Sequence, residues 1–174
     1  MVHDEQAITM EEIKIEKLPA DFIGYVKQNI EAPKRIVTGK PLYYSKSGCH
    51  VNSILLCDDI TSNNDYSCSI IEGIVVCADG LAFEHYWNVI RNEEDEPHYV
   101  DVTMDAIATD AEREMGKRYY VVRELNKEQL EEKIANEQPL FSKDTHDAID
   151  AYYKEHPERE AYYREGKRIV DNMQ

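Results

Sequence analysis

A chain of 174 residues with 42% hydrophobic and 32% charged side chains has material for one real core plus an extension, and two full domains would be crowded. No run approaches the ~18 consecutive apolar residues of a membrane span, so a membrane-spanning helical protein is excluded. Thirty-five Asp and Glu against 20 Lys and Arg leave a net charge of −15, a field that repels phosphate backbones and anionic lipid. Direct nucleic-acid binding is therefore not expected, and only acidic mimicry of nucleic acid stays open.

The start, Met1 to Gln6, has neither a basic n-region nor an apolar h-region, which predicts a cytoplasmic protein. Cys49, Cys57, Cys68 and Cys77 form no Cys-x-x-Cys pair, and the chain is too large to need disulfide staples, so reduced thiols are expected. His50, His85 and His98 lack the paired spacing of a structural zinc site, and neither metal nor cofactor is predicted.

In chain order, residues 1–19 read as an N-terminal arm or an edge strand around Ile13 to Ile15. Asp21 is placed to cap a helix from Phe22 to about Ala32, with Phe22, Ile23, Val26 and Ile30 on one stripe. Pro33 and Gly39 break that pattern, and 33–48 reads as loop. Val51, Ile54, Leu55 and Cys57 then fit a buried helix from Cys49 to about Asp59. The Ile- and Val-rich run Ser69 to Ala78, the turn Asp79-Gly80 and the run Leu81 to Arg91 predict a hairpin. An acidic loop, Asn92 to Pro97, leads to a third strand over Tyr99 to Met104, and Arg118 to Leu125 supplies a fourth. Asn126 and Gln129 stand in a capping-box relation before further helices, about 144–155 and 157–172. The echo of Asp150 to Glu155 in Glu160 to Glu165 is too short for a repeat protein and reads as amphipathic helices whose tyrosines pack on the domain, with a tyrosine-lined partner surface as the rarer reading. The fold class is therefore α+β. A cysteine-bearing helix packs on an antiparallel three- to four-stranded meander, within a core over 20–125 and a helical C-terminal extension over 126–174.

The chemistry concentrates at Gly48-Cys49-His50-Val51-Asn52. A thiol in the first turn of a helix meets unpaired backbone amides and the positive end of the macrodipole, both of which favour the thiolate. His50 is a poor base, because adjacent helical side chains point about 100° apart. His85 is better placed: alternation puts Phe83, His85, Trp87 and Val89 on one strand face, expected to be the core side. Folding the strands 81–91 and 97–104 about Glu93 pairs positions summing to 186, which sets His85 opposite Asp101 and lets the carboxylate fix the imidazole tautomer.

A cysteine opening a helix, then His85-Tyr86-Trp87, then Val100-Asp101-Val102-Thr103 resembles the transglutaminase-like proteins of the papain-like superfamily over about residues 40–105. The spacing of Cys49 and Asn52 also resembles the nucleophile motif of arylamine N-acetyltransferases, which are much longer chains. The resemblance implies Cys49 as nucleophile, His85 as general base and acid, and Asp101 as its orienting carboxylate. No glutamine stands shortly before Cys49, and Val102 stands where the family has proline. Oxyanion or substrate contacts are therefore sought at the Cys49 amide and at Tyr43, Tyr44, Asn52 and Trp87. The expected reaction is acyl transfer through a Cys49 thioester, hydrolytic or to an amine, on a peptide or protein substrate, mildly favoured to be basic. The acidic loop 92–97 is expected to steer such a substrate, unless it is only a solvated turn. The rival reading is a non-catalytic acidic interaction protein with an inert thiol.

Overall fold

The computed structural model describes residues 10–32, 35–37, 39–46, 48–62 and 66–159. The chain is mixed α+β. Its N-terminal segment forms β1 (Glu11–Ile13) and β2 (Ile15–Glu16), separated by Lys14, and then α1 (Ala20–Gln28). The short strands β3 (Arg35–Val37) and β4 (Lys40–Leu42) pair with each other, and α2 (Cys49–Thr61) follows. Strands β5 (Ser67–Cys77), β6 (Ala82–Arg91) and β7 (Pro97–Val100) lead to a wide π-type turn over Thr103–Ile107. The chain continues through α3 (Asp110–Glu114), β8 (Lys117–Leu125), α4 (Lys127–Ala135) and α5 (Lys143–Glu155).

Six strands form one sheet in the order β1-β8-β5-β6-β7-β2. β1 pairs antiparallel with β8, and β2 pairs parallel with β7, so consecutive residues of one segment hold both edges and the sheet curls. Asp79-Gly80 makes the β5–β6 turn: Gly80 sits at φ 89°, and the Asp79 carboxylate accepts from the Leu81 N–H at 3.0 Å. Asn126 and Gln129 complete a capping box at α4.

The β6 alternation sorts two cores. Ile71, Val75, Trp87, Val89 and Tyr119, with Ile13, Ile15, Phe83, Tyr99 and Val121 against them, draw on all six strands and fill the inside of the curl. On the outside, Tyr86, Ile70 and Leu125 pack with Ile54 to Cys57 of α2 and Leu130 of α4, while Ile74 and Ala82 pack with Ala148, Ile149 and Tyr153 of α5. Each fully buried large apolar side chain contributes about 1.5–3 kcal/mol. The expectation that one β6 face alone is the core side needs correcting, because Tyr86 and Asn88 on the outer face are as buried as Trp87 and Val89.

Several boundaries also differ from expectation. Asp21 lies in the first turn of α1 without capping it; Pro19 precedes the helix, and the helix stops at Gln28, with Ile30 bridging to Tyr44. The stretch read as loop contains the β3–β4 hairpin. The third strand ends at Val100, because the next residues coil into the π-type turn, closed by Asp105 N–H to Asp101 O at 3.0 Å and Ala108 N–H to Thr103 O at 2.8 Å. The helix expected over 157–172 lies mostly outside the described residues, as do Tyr162 and Tyr163. Among the described residues no helix is long and apolar enough to cross a membrane.

Candidate active site

Cys49 is the first residue of α2. Gly48 precedes it at a position where an added Cβ would lie 2.6 Å from the Ser45 hydroxyl, so a larger residue would make that side chain turn away. The first turn of α2 holds no acidic residue, which leaves the positive end of the dipole uncompensated at the sulfur. Burial pushes the Cys49 thiol up, but hydrogen bonding from the His50 and His85 side chains, the His85 charge and the Tyr86 N–H outweigh it and bring the pKa down to about 6. The Tyr86 N–H is free for this contact because β7 pairs with β6 only from Asn88 to Arg91, leaving the β6 edge open beside His85.

His85 projects into the curl between Phe83, whose ring meets it edge-on at 5.7 Å, and Trp87, stacked at 6.2 Å. Its Nε2 is 2.9 Å from Asp101 Oδ2, and both side chains are buried. That bond leaves Nδ1 as the nitrogen available to Cys49. Burial pushes His85 down, whereas the Asp101 carboxylate and the Cys49 sulfur hold it up at about 10. The two shifts run in opposite directions, and each favours the charged form of its group: thiolate for Cys49 and imidazolium for His85.

Asp101 lies one residue beyond β7. The β6–β7 register sums to 188, with Asn88 opposite Val100, so the expected pairing of His85 with Asp101 is corrected: no strand residue faces His85 there. The displacement is an even number of positions and therefore keeps the predicted face. The π-type turn then holds the carboxylate against the ring. Met104 N–H donates to Oδ1 at 3.3 Å, as at a helix N-cap, and the Tyr119 hydroxyl donates to Oδ2 at 2.7 Å. Burial pushes Asp101 up, yet the His85 charge and these donors hold it below the ordinary carboxylate range.

Two proposed oxyanion donors are committed elsewhere. Asn52 donates its amide hydrogens to Ser45 O at 2.8 Å and Thr103 Oγ1 at 3.0 Å, and accepts from the Ser45 N–H at 2.9 Å, so it ties the loop before Cys49 to the turn after Asp101. Tyr44 is fully buried and donates to Asp59 Oδ2 at 2.7 Å. Tyr43 is 38% exposed. Trp87 is buried inside the curl, where it stacks on His85 and meets Tyr119 edge-on at 5.1 Å. This makes it a support of the histidine.

Three contributors were not anticipated. Tyr119 comes from β8 and reaches Asp101 across the two intervening strands β5 and β6. Gly73, opposite His85 on β5, leaves room for the Trp87 indole: an added Cβ would lie 2.5 Å from the ring and 2.1 Å from Tyr120 O. His50 adds a donor at the sulfur, although helix geometry makes it a poor base. The glycine inside an Ile- and Val-rich run was the available signal. On the outer face, Glu72 is a wholly buried carboxylate that accepts from Tyr86 Oη at 2.9 Å, Ser142 N–H at 3.1 Å, the Thr145 hydroxyl and Arg123. Among the described residues no cluster of three or more His, Cys, Asp or Glu is arranged to hold a metal ion.

No protein-family model, curated protein or solved structure matches this chain.

Proposed function

We propose that the chain is a cysteine-dependent acyl-transfer enzyme in which Cys49 attacks an amide or ester carbonyl. The observation that carries this reading is the His85 Nε2–Asp101 Oδ2 bond at 2.9 Å, which turns the other ring nitrogen toward a thiol at a helix N-terminus. The Cys49 thiolate forms the C–S bond, the first-turn amides of α2 receive the oxyanion, and the His85 imidazolium protonates the leaving group. His85 then takes a proton from water or an amine, whose attack breaks the thioester. Asp101 holds the ring orientation throughout.

The order of Cys, His and Asp, and the packing of α2 against β5 and β6, support a transglutaminase-like arrangement with the helix on an antiparallel meander. The net charge of −15 favours a basic peptide or protein as acyl donor or acceptor. The test is incubation with p-nitrophenyl acetate, followed by intact-mass and peptide analysis. An acetyl group on Cys49 that turns over, and that is lost in Cys49→Ser, supports the reading. Uniform, slow labelling of all four cysteines contradicts it and favours the acidic interaction protein.

A further inference from the structure

The other notable sulfur chemistry lies farther along the same helix. Cys57 stands eight residues after Cys49, just over two turns on, and its Sγ is 3.0 Å from Cys68 Sγ near the start of β5; both are free thiols. The Asn88 amide of β6 sits against both sulfurs, at 3.3 Å from Cys57 and 3.5 Å from Cys68. Cys57 is 1% exposed while Cys68 is only half-buried, so one thiol is open to a small reagent and the other waits behind it. A disulfide has its sulfurs about 2.05 Å apart, so closing the bond needs an approach of only about 1 Å.

We propose that Cys57 and Cys68 are a redox-modification site, which a peroxide-class oxidant converts to an intramolecular disulfide joining α2 to β5. Cys68 Sγ attacks a peroxide oxygen; the O–O bond breaks and the departing hydroxide leaves as water with the thiol proton, giving a sulfenic acid. Cys57 Sγ then attacks Cys68 Sγ, the S–O bond breaks, and hydroxide leaves as a second water with the Cys57 proton. Two thiols are oxidised and one peroxide is reduced to two waters. The inference does not depend on Cys49 being a nucleophile.

No Lys or Arg lies between Lys46 and Arg91, so trypsin leaves all four cysteines on one peptide. An aspartate-directed protease cutting at Asp58, Asp59 and Asp65 separates Cys49 and Cys57 from Cys68 and Cys77. The full-length Cys49→Ser/Cys77→Ser variant, treated with hydrogen peroxide and digested without reductant, is expected to give the two peptides cross-linked, with a loss of two hydrogens and full recovery of both thiols by dithiothreitol. The wild-type chain should give the same Cys57–Cys68 linkage by fragmentation, which keeps the test valid if the variant does not fold. Retention of both thiols in the folded wild-type chain under a large molar excess of hydrogen peroxide, or linkage of either one to another cysteine, overturns the proposal.

Discussion

Two buried carboxylates lie on opposite faces of β6, and they do different things with their burial. Glu72, bonded to Tyr86 on the outer face, is met by hydroxyls from Tyr86, Ser142 and Thr145, the Ser142 N–H and the Arg123 guanidinium. Burial alone would raise it, yet those donors hold it below its ordinary value. Its partners are hydroxyls, a backbone amide and a permanently charged guanidinium, so the cluster can only be made or broken, and it ties the start of α5 to the sheet. Asp101, beneath His85 on the inner face, shares one oxygen between Tyr119 and a histidine whose remaining nitrogen serves a thiol. Saturation makes a clamp; a titratable neighbour with a reactive group behind it makes a site.

The comparison is broken most forcefully at Asp101. Asp101→Asn removes the charge that holds His85 protonated, and turnover of an acyl substrate should fall by about 10³–10⁴, with a stability loss small enough for the chain to stay folded. Steady-state rates beside urea unfolding separate the two effects. Glu72→Ala should do the reverse. Removing the buried acceptor shared by Ser142, Thr145 and Arg123 should cost about 3 kcal/mol in urea unfolding, while Cys49 alkylation stays within about twofold of wild type. Gly73→Ala forces a Cβ against the Trp87 ring and the Tyr120 carbonyl, and should cost about 1–3 kcal/mol together with a measurable slowing at Cys49, because Trp87 supports His85. The smallest effect belongs to Glu93, Glu94, Asp95 and Glu96, all exposed at the β6–β7 turn, at the far end of β7 from Asp101. Neutralising them should slow association of a basic peptide only a few-fold at low salt and leave Cys49 alkylation unchanged. Stopped-flow rates at two ionic strengths check it.

Local signals made much of the site legible. The change from a polar loop to an apolar 3.6-residue pattern located Cys49 at a helix start, and strict alternation put His85 on the face with Trp87. The Asp101 expectation rested on a hairpin register that is two positions off; it survived because even slips preserve faces and because the turn after Val100 folds the carboxylate back. What escaped was long-range. Nothing near Glu72 in the chain announces Ser142 and Thr145, 70 and 73 residues away, and Tyr119 is 18 residues from Asp101 on another strand. The two-edge pairing of β1 and β2 was equally hidden, since two- and three-residue strands carry almost no periodicity.

The central claim is that His85 and Asp101 activate Cys49. The most direct measurement is the rate of iodoacetamide alkylation at Cys49 against pH, in wild type and in His85→Ala, with Cys77 in the same chain as the internal reference. The thiol pKa is lowered to about 6 and that of Cys77 is raised above the ordinary thiol value. The Cys49 rate should therefore climb through pH 6 and be flat from about pH 7 upward, while Cys77 is still slow. In His85→Ala the midpoint should move up by about 2 units toward the ordinary thiol value near 8.5, and the neutral-pH rate should drop correspondingly. A wild-type midpoint near 8.5, or one that His85→Ala leaves in place, would contradict the account.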